Sequence, residues 1–220
     1  MNTNRNTIPH ARRGFTLVEA LFAVTFLAVL FLAVAHTSSR ASDAFDEGNA
    51  EHQLYRTTHR CVDKMVQSLE LASRNALVPI SAFPTLGAST ITFATPIGFA
   101  GGVVVWGPQT TIVREAETND PDDGIDNDND GVVDEGRVVW IENPGTAEER
   151  RIVLASGVAD YLEGEQPNNA DDNGNLLRDE RGLSFEASGD VLIIRLTCLR
   201  MDESKRELRK TVQTSVRLRN

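Results

Sequence analysis

From Phe15 to Ala35 the chain carries 21 residues, of which 18 are Ala, Val, Leu or Phe; the exceptions are Thr16, Glu19 and Thr25. No Asp, Glu, Lys or Arg lies between Glu19 and Arg40, and no Pro between Pro9 and Pro79. A helix rising about 1.5 Å per residue makes this run long enough for the ~30 Å hydrocarbon layer of a bilayer. Arg5, Arg12 and Arg13 precede it with no acid among the first fourteen residues. A basic flank stays cytoplasmic, so the rest of the chain is predicted to cross. Two readings compete: a buried core helix, and a cleaved secretory signal ending at Ala33-Val34-Ala35 with His36 as the new terminus. Glu19 speaks against the signal. A carboxylate costs about 2.5 kcal/mol or more at mid-bilayer, less near the interface, and usually marks a function there.

The string Arg12-Arg13-Gly14-Phe15-Thr16-Leu17-Val18-Glu19, set directly before an apolar span, resembles the prepilin processing motif of type IV pilins and type II secretion pseudopilins. The resemblance implies cleavage between Gly14 and Phe15 by a membrane prepilin peptidase, followed by methylation of the Phe15 amine. It also implies that Glu19 meets the Phe15 amine of a neighbouring pilin or pseudopilin subunit and sets axial register. An intramembrane carboxylate beside a cation is physically intelligible; a Glu19 that merely sits near the headgroups is the plainer account. Residues 1–14 are then a leader and 15–35 a transmembrane and assembly helix in contact with membrane lipid.

Beyond Ala35, the residues Leu54, Thr58, Cys61, Met65, Leu69, Ala72 and Ala76 recur at spacings of four and three, with Val62 beside them. This apolar stripe predicts an amphipathic continuation of the helix over 36–78, closed by Pro79. Ser38, Ser39, Asp43 and Gly48 leave open one long bent helix or two shorter ones. From 79 to 220 the texture becomes short β-type runs divided by Gly, Pro and acidic turns. Strands are predicted at Ser89–Thr95, Val103–Trp106, Thr110–Glu115, Arg137–Glu142, Arg150–Ala155, Val191–Leu199 and Thr211–Arg217. The fold class is α+β, a long N-terminal helix packed on an antiparallel sheet, which is also the plan the pilin resemblance implies. The closing stretch Thr214–Asn220 is similar to the last strand of J-type minor pseudopilins and W-type minor pilins.

Two acidic loops interrupt the β region, at 115–136 and 163–180. The first holds ten acids and no base before Arg137. Within it, Asp126, Asp128, Asp130 and Asp134 fall at positions 1, 3, 5 and 9, with Gly131 at 6 and the Val132 carbonyl at 7. Alternate short acids on a tight loop converge oxygens as Ca²⁺ requires. Position 12 is Arg137, so the helix-loop-helix calcium pattern is broken. The string resembles the aspartate-rich calcium repeats of thrombospondin type 3 segments and dockerins. Asp122, Asp123 and Glu135 are placed either to complete the shell or to bind a second ion. In the second loop Asp171, Asn173, Asn175, the Leu177 carbonyl and Asp179 repeat the spacing with two amides, which predicts a weaker site. A solvated acidic loop without an ion is the alternative for both.

Cys61 on the helix stripe and Cys198 in a strand allow one intrachain bridge or two buried thiols. The net charge of −10 argues against nucleic acid as a partner. No nucleophile-elbow or phosphate-loop pattern is present, so no catalysis is expected. The readings carried forward are a minor pilin or pseudopilin, a pilin-anchored adhesion or binding module, and a secreted soluble calcium-binding protein.

Overall fold

The structure is a computed structural model and describes residues 16–78 and 88–218. Gly14 and Phe15, the predicted processing site, lie outside the described residues, as does Pro79. The chain divides into two units, Met1–Phe45 and Asp46–Asn220.

In the first unit the helix α1 (Leu17–Leu69) begins. Thr16 caps it: the Glu19 N–H donates to Thr16 Oγ1 at 3.2 Å. A Thr followed three residues later by Glu is the sequence signature of a capping box, and Glu19 lies in the first turn, where the helix dipole favours a negative charge. The apolar side chains from Leu17 to Val34 are exposed. Hydroxyls in and just beyond this stretch are satisfied within the helix, Thr25 donating to the Phe22 carbonyl and Thr37 to the Ala33 carbonyl. By length and composition this helix can cross a membrane. Helical structure continues without a break through Ser38, Ser39, Asp43 and Gly48.

In the second unit α1 buries Leu54, Thr58, Cys61, Val62, Met65 and Leu69, the stripe predicted from spacing. The helix ends at Leu69, earlier than 78. Leu71 and Ala72 bond back to Ser68 and Leu69, the tightened i→i+3 pattern of a closing turn. A 3₁₀ turn, Arg74–Ala76, follows. Val78 then exchanges both backbone hydrogen bonds with Thr92 at 2.8 and 2.9 Å. The Val78 amide, inside the span predicted as helix, is thus committed to the sheet.

Seven antiparallel strands form one curled sheet: β1 (Thr90–Ala100), β2 (Val103–Ala116), β3 (Gly136–Glu142), β4 (Arg150–Val158), β5 (Leu183–Ser188), β6 (Val191–Met201) and β7 (Glu207–Arg217). The order is β1-β2-β3-β4-β6-β5, with β7 also paired to β6. An Ala88–Phe185 bridge links the approach to β1 with β5. The fold is α+β, as expected. Val103–Trp106 and Thr110–Glu115 are one strand, paired to β1 across register shifts at Pro96. β5 was not foreseen: its apolar face is only Leu183 and Phe185, too short a run to stand out between acidic and glycine-rich neighbours.

The core lies between the helix stripe and the concave face of the sheet, with Met65, Leu69, Ile91, Phe93, Ile112, Phe185, Leu192, Ile194 and Leu196 all buried. Phe93 meets Trp140 edge-on with centroids 5.8 Å apart, and Lys64 Nζ lies 5.5 Å from the Trp140 ring. Cys61 and Cys198 are buried free thiols. Burial pushes Cys198 up to about 11, partly opposed by the Thr58 hydroxyl. Cys61 is pushed up further, by burial first and by Cys198 second.

Candidate metal centre

Both acidic loops leave the same end of the sheet. The first joins β2 to β3 and the second joins β4 to β5; Gly136 at the start of β3 pairs with Val158 at the end of β4. The first loop is seated by Val132, which packs with Ala159, Leu199 and Met201 in a small second core. Arg114 braces it from β2. Its guanidinium donates to the carbonyls of Asp134 and Ala159 at 3.0 and 3.2 Å, and meets the carboxylates of Asp122 at 3.5 Å and Asp160 at 3.2 Å. Asp160 also pairs with Arg181 of the second loop, so one carboxylate ties the bases of both loops together. A Cβ on Gly136 would lie 2.7 Å from the Glu115 carbonyl oxygen and 2.8 Å from Arg114 Cζ; only glycine permits that approach.

Asp126, Asp128 and Asp130 are brought together, each with a carboxylate oxygen within 4.8 Å of the others. Their turn is set by backbone amides: Gly131 N donates to Asp126 Oδ2, Asp130 N to Asp128 Oδ1, and Val132 N to Asp130 Oδ1, at 2.9–3.1 Å. Asp134 is used differently. Its Oδ1 accepts from the amides of Asp123 and Gly124 at 2.8 Å, closing the turn before the aspartates. Asp122 is paired with Arg114, and Asp123 accepts from Ile125 N and Asn127 Nδ2. Glu135 lines, with Asp128 and Asp130, a cavity of about 350 Å³ together with Gln53, Leu54 and Gly157.

The residue that spacing did not single out is Asp120. It is fully buried and its Oδ1 accepts from Asn127 N at 2.7 Å. That bond, with further donors from Glu135 and Asp134, holds its carboxyl below the usual range. Glu135, 3% exposed, is pushed up to about 7, first by burial and then by the charges of Asp130 and Asp120. Asp120 Oδ2, Asp126 Oδ1 and Glu135 Oε2 are buried without a hydrogen-bond donor. Among the described residues no ion pair reaches Asp120, Asp126, Asp128, Asp130 or Glu135. Buried carboxyl oxygens of this kind need a partner. The donor set, all carboxylate, fits a hard cation that takes six to eight oxygens, as Ca²⁺ does.

The second loop brings Asp171, Asn173 and Asn175 into the same turn, with Leu176 N donating to Asp171 Oδ2, Asn175 N to Asn173 Oδ1 and Leu177 N to Asn175 Oδ1. The Leu177 side chain is buried. Asp179 closes the preceding turn through the amides of Asn168 and Asn169.

Comparison with protein-family models, with curated proteins and with solved structures returned no match. The site therefore stands on its own geometry.

Proposed function

We propose that this chain is a minor pilin or pseudopilin: a structural subunit of a type II secretion pseudopilus or a type IV pilus. In this reading it is held in the cytoplasmic membrane by residues 15–35, with the C-terminal domain exported. The peptidase cuts after Gly14, the Phe15 amine is methylated, and subunits assemble through the apolar helix with Glu19 facing a neighbour's amine. The first acidic loop takes Ca²⁺ on the exported side. One observation carries the proposal. A single helix is apolar and exposed over Leu17–Val34, then buries a stripe from Leu54 to Leu69 on an antiparallel sheet. A soluble domain has no use for sixteen exposed apolar residues along eighteen positions of helix, whereas a membrane or a bundle of like helices covers them.

N-terminal sequencing and intact mass of the membrane fraction test it. A chain beginning at N-methylated Phe15 is expected. A chain beginning at His36 overturns the proposal in favour of a soluble exported protein.

A second reading, a binding module on the same anchor, draws on the β1–β2 hairpin, where Ile97, Phe99, Val103 and Trp106 are exposed. Recovery of a secreted cargo with the chain, in place of other pilin-like subunits, would favour it.

A further inference from the structure

The two loops are copies of one backbone design displaced by 45 positions. Gly124, Asn129, Gly131 and Asp134 have positive φ, and so do Asn169, Gly174, Leu176 and Asp179, position for position. Hydrogen bonds repeat at the same displacement as well. Asp134 and Asp179 each cap two amides; Asp126 and Asp171, Asp128 and Asn173, and Asp130 and Asn175 accept from equivalent amides. The inner carboxylates correspond too: Asp120 to Glu165 and Glu135 to Glu180, all four buried.

The copies differ in how those carboxylates are met. In the first loop Asp120, Asp126, Asp128, Asp130 and Glu135 are five carboxylates, three of them with a buried oxygen that has no donor. In the second, two of the five are the amides Asn173 and Asn175, and the amide nitrogens of both turn to Glu180 Oε2. Glu180 Oε1 accepts from Ser184 Oγ at 2.9 Å and from Arg195 Nη1 at 3.3 Å. Asp171 has both oxygens engaged, Oδ1 by the amides of Gly174 and Asn175 and Oδ2 by Leu176. Among the described residues of that loop, Glu165 Oε2 is the one buried side-chain oxygen left without a donor. Arg195 is itself buried on β6, and it also meets Glu186 at 2.8 Å and Gln213 at 3.0 Å.

We infer that only the first copy takes a divalent cation, with the buried Asp120 and Glu135 completing the carboxylate set of Asp126, Asp128 and Asp130. In the second copy the Arg195 guanidinium and the amides of Asn173 and Asn175 do the neutralising that the ion does in the first. The inference rests on the reading that the first loop binds Ca²⁺. It changes the ligand set and fixes the number of ions at one. A bound cation neutralises a set of five carboxylates, three with stranded oxygens; beside Arg195 and two amides a second cation would meet three carboxylates already largely hydrogen-bonded.

The test is calcium titration of the full chain in detergent by calorimetry, with Tb³⁺ luminescence as a second readout. One site per chain is expected. Asp128→Ala should abolish it, and Asp171→Ala should change its affinity less than twofold. Glu135→Gln and Asp120→Asn, which keep side-chain shape, should each weaken it at least tenfold. Zero sites by both readouts overturns the calcium reading itself. Two sites, one of them lost in Asp171→Ala, overturns the inference and leaves calcium standing. One site that tolerates both Glu135→Gln and Asp120→Asn overturns the ligand assignment. Should either of these variants not fold, the wild-type count and the Asp128→Ala and Asp171→Ala pair still decide.

Discussion

Glu135 and Glu180 occupy equivalent buried places 45 positions apart, yet Glu180 is met by Arg195 at 3.3 Å while Glu135 meets no cation among the described residues. The same backbone thus presents one carboxylate that the protein has already paired and one that it has not. Much of the chemistry of this end of the sheet follows from that difference.

Removing the internal cation should expose the dependence. Arg195→Met leaves Glu180 buried beside amides and a hydroxyl alone, and breaking one partner of a buried ion pair costs about 3–5 kcal/mol. Adding Glu180→Gln to Arg195→Met removes the stranded charge and should restore most of the loss. Urea unfolding of the three proteins measures it. Equal stability of Arg195→Met and the parent would mean that Glu180 has no need of the guanidinium.

Added Ca²⁺ should raise the thermal midpoint of the full chain, because the ion meets a formed loop and hardly binds the unfolded chain. At a concentration a hundredfold above Kd the gain is about 2.7 kcal/mol, or roughly 5–10 °C for a chain of this size. Extracellular-type loops bind at ~0.1–1 mM, so the titration runs into the millimolar range and beyond. Mg²⁺ should help less, since it holds its waters and demands octahedral geometry. Asp128→Ala with Asp130→Ala should remove the effect. Equal gains from Ca²⁺, Mg²⁺ and NaCl of matched ionic strength would point to simple screening of the acids.

The Thr16–Glu19 contact gives Glu19 two roles that substitution can separate. As a capping-box residue it is replaceable by Gln, which reaches back to the cap amide as Glu does. As the partner of an intramembrane amine it is not, because the charge is gone. Glu19→Gln and Glu19→Ala should therefore both leave cleavage intact and both reduce crosslinking to neighbouring subunits. If Glu19→Gln assembles normally and Glu19→Ala does not, the residue is a helix cap and sets no register.

The helix stripe, the strands other than β5 and the Asp126–Asp128–Asp130 cluster were legible because each is a local period: four and three for the helix, two for strands, two for the loop acids. Asp120 was not, since nothing in its own neighbourhood distinguishes it from the other acids; only the 45-position repeat, Asp120 to Asp126 to Glu135 against Glu165 to Asp171 to Glu180, picks it out. Arg195 was hidden for a different reason. It sits in a strand among apolar residues, and its partner is 15 positions away, across a sheet pairing that the sequence does not display. The helix end at Leu69 was misplaced because the stripe continues through Ala72, which is buried, although the backbone there has already left the helix in a closing turn.

Gly182 tests the joint between the second loop and β5. A Cβ there would lie 1.9 Å from the Ala159 carbonyl oxygen and 2.8 Å from its carbon, and these are backbone atoms that cannot swing aside. Gly182 N itself donates to the Asp160 carbonyl, and its carbonyl accepts from Thr197 N at 2.7 Å. Gly182→Ala should destabilise by more than 2 kcal/mol, in the ~1–3 kcal/mol range of overpacking or above it. Gly189→Ala, with open space around the Cβ but a positive φ, should cost about 1 kcal/mol from conformation alone. Denaturant midpoints that rank the two the other way round would contradict the close packing of the second loop on the β4 end.

The two buried free thiols allow a check on the core by pH. Cys198 is raised to about 11 from 9.0, so its neutral form is favoured by folding. Its contribution is fully present below pH 9 and is lost as pH rises from about 9 to about 11, because the unfolded thiol releases its proton first. The stability of the parent should fall across that window more steeply than that of Cys198→Ala. At pH 8 neither Cys61 nor Cys198 should react with iodoacetamide in the folded chain, and both should react in urea, since the thiolate is the nucleophile and burial withholds it. Rapid labelling of the native protein at either position would show that the helix leaves the sheet readily, and would place the stripe from Leu54 to Leu69 outside the stable core.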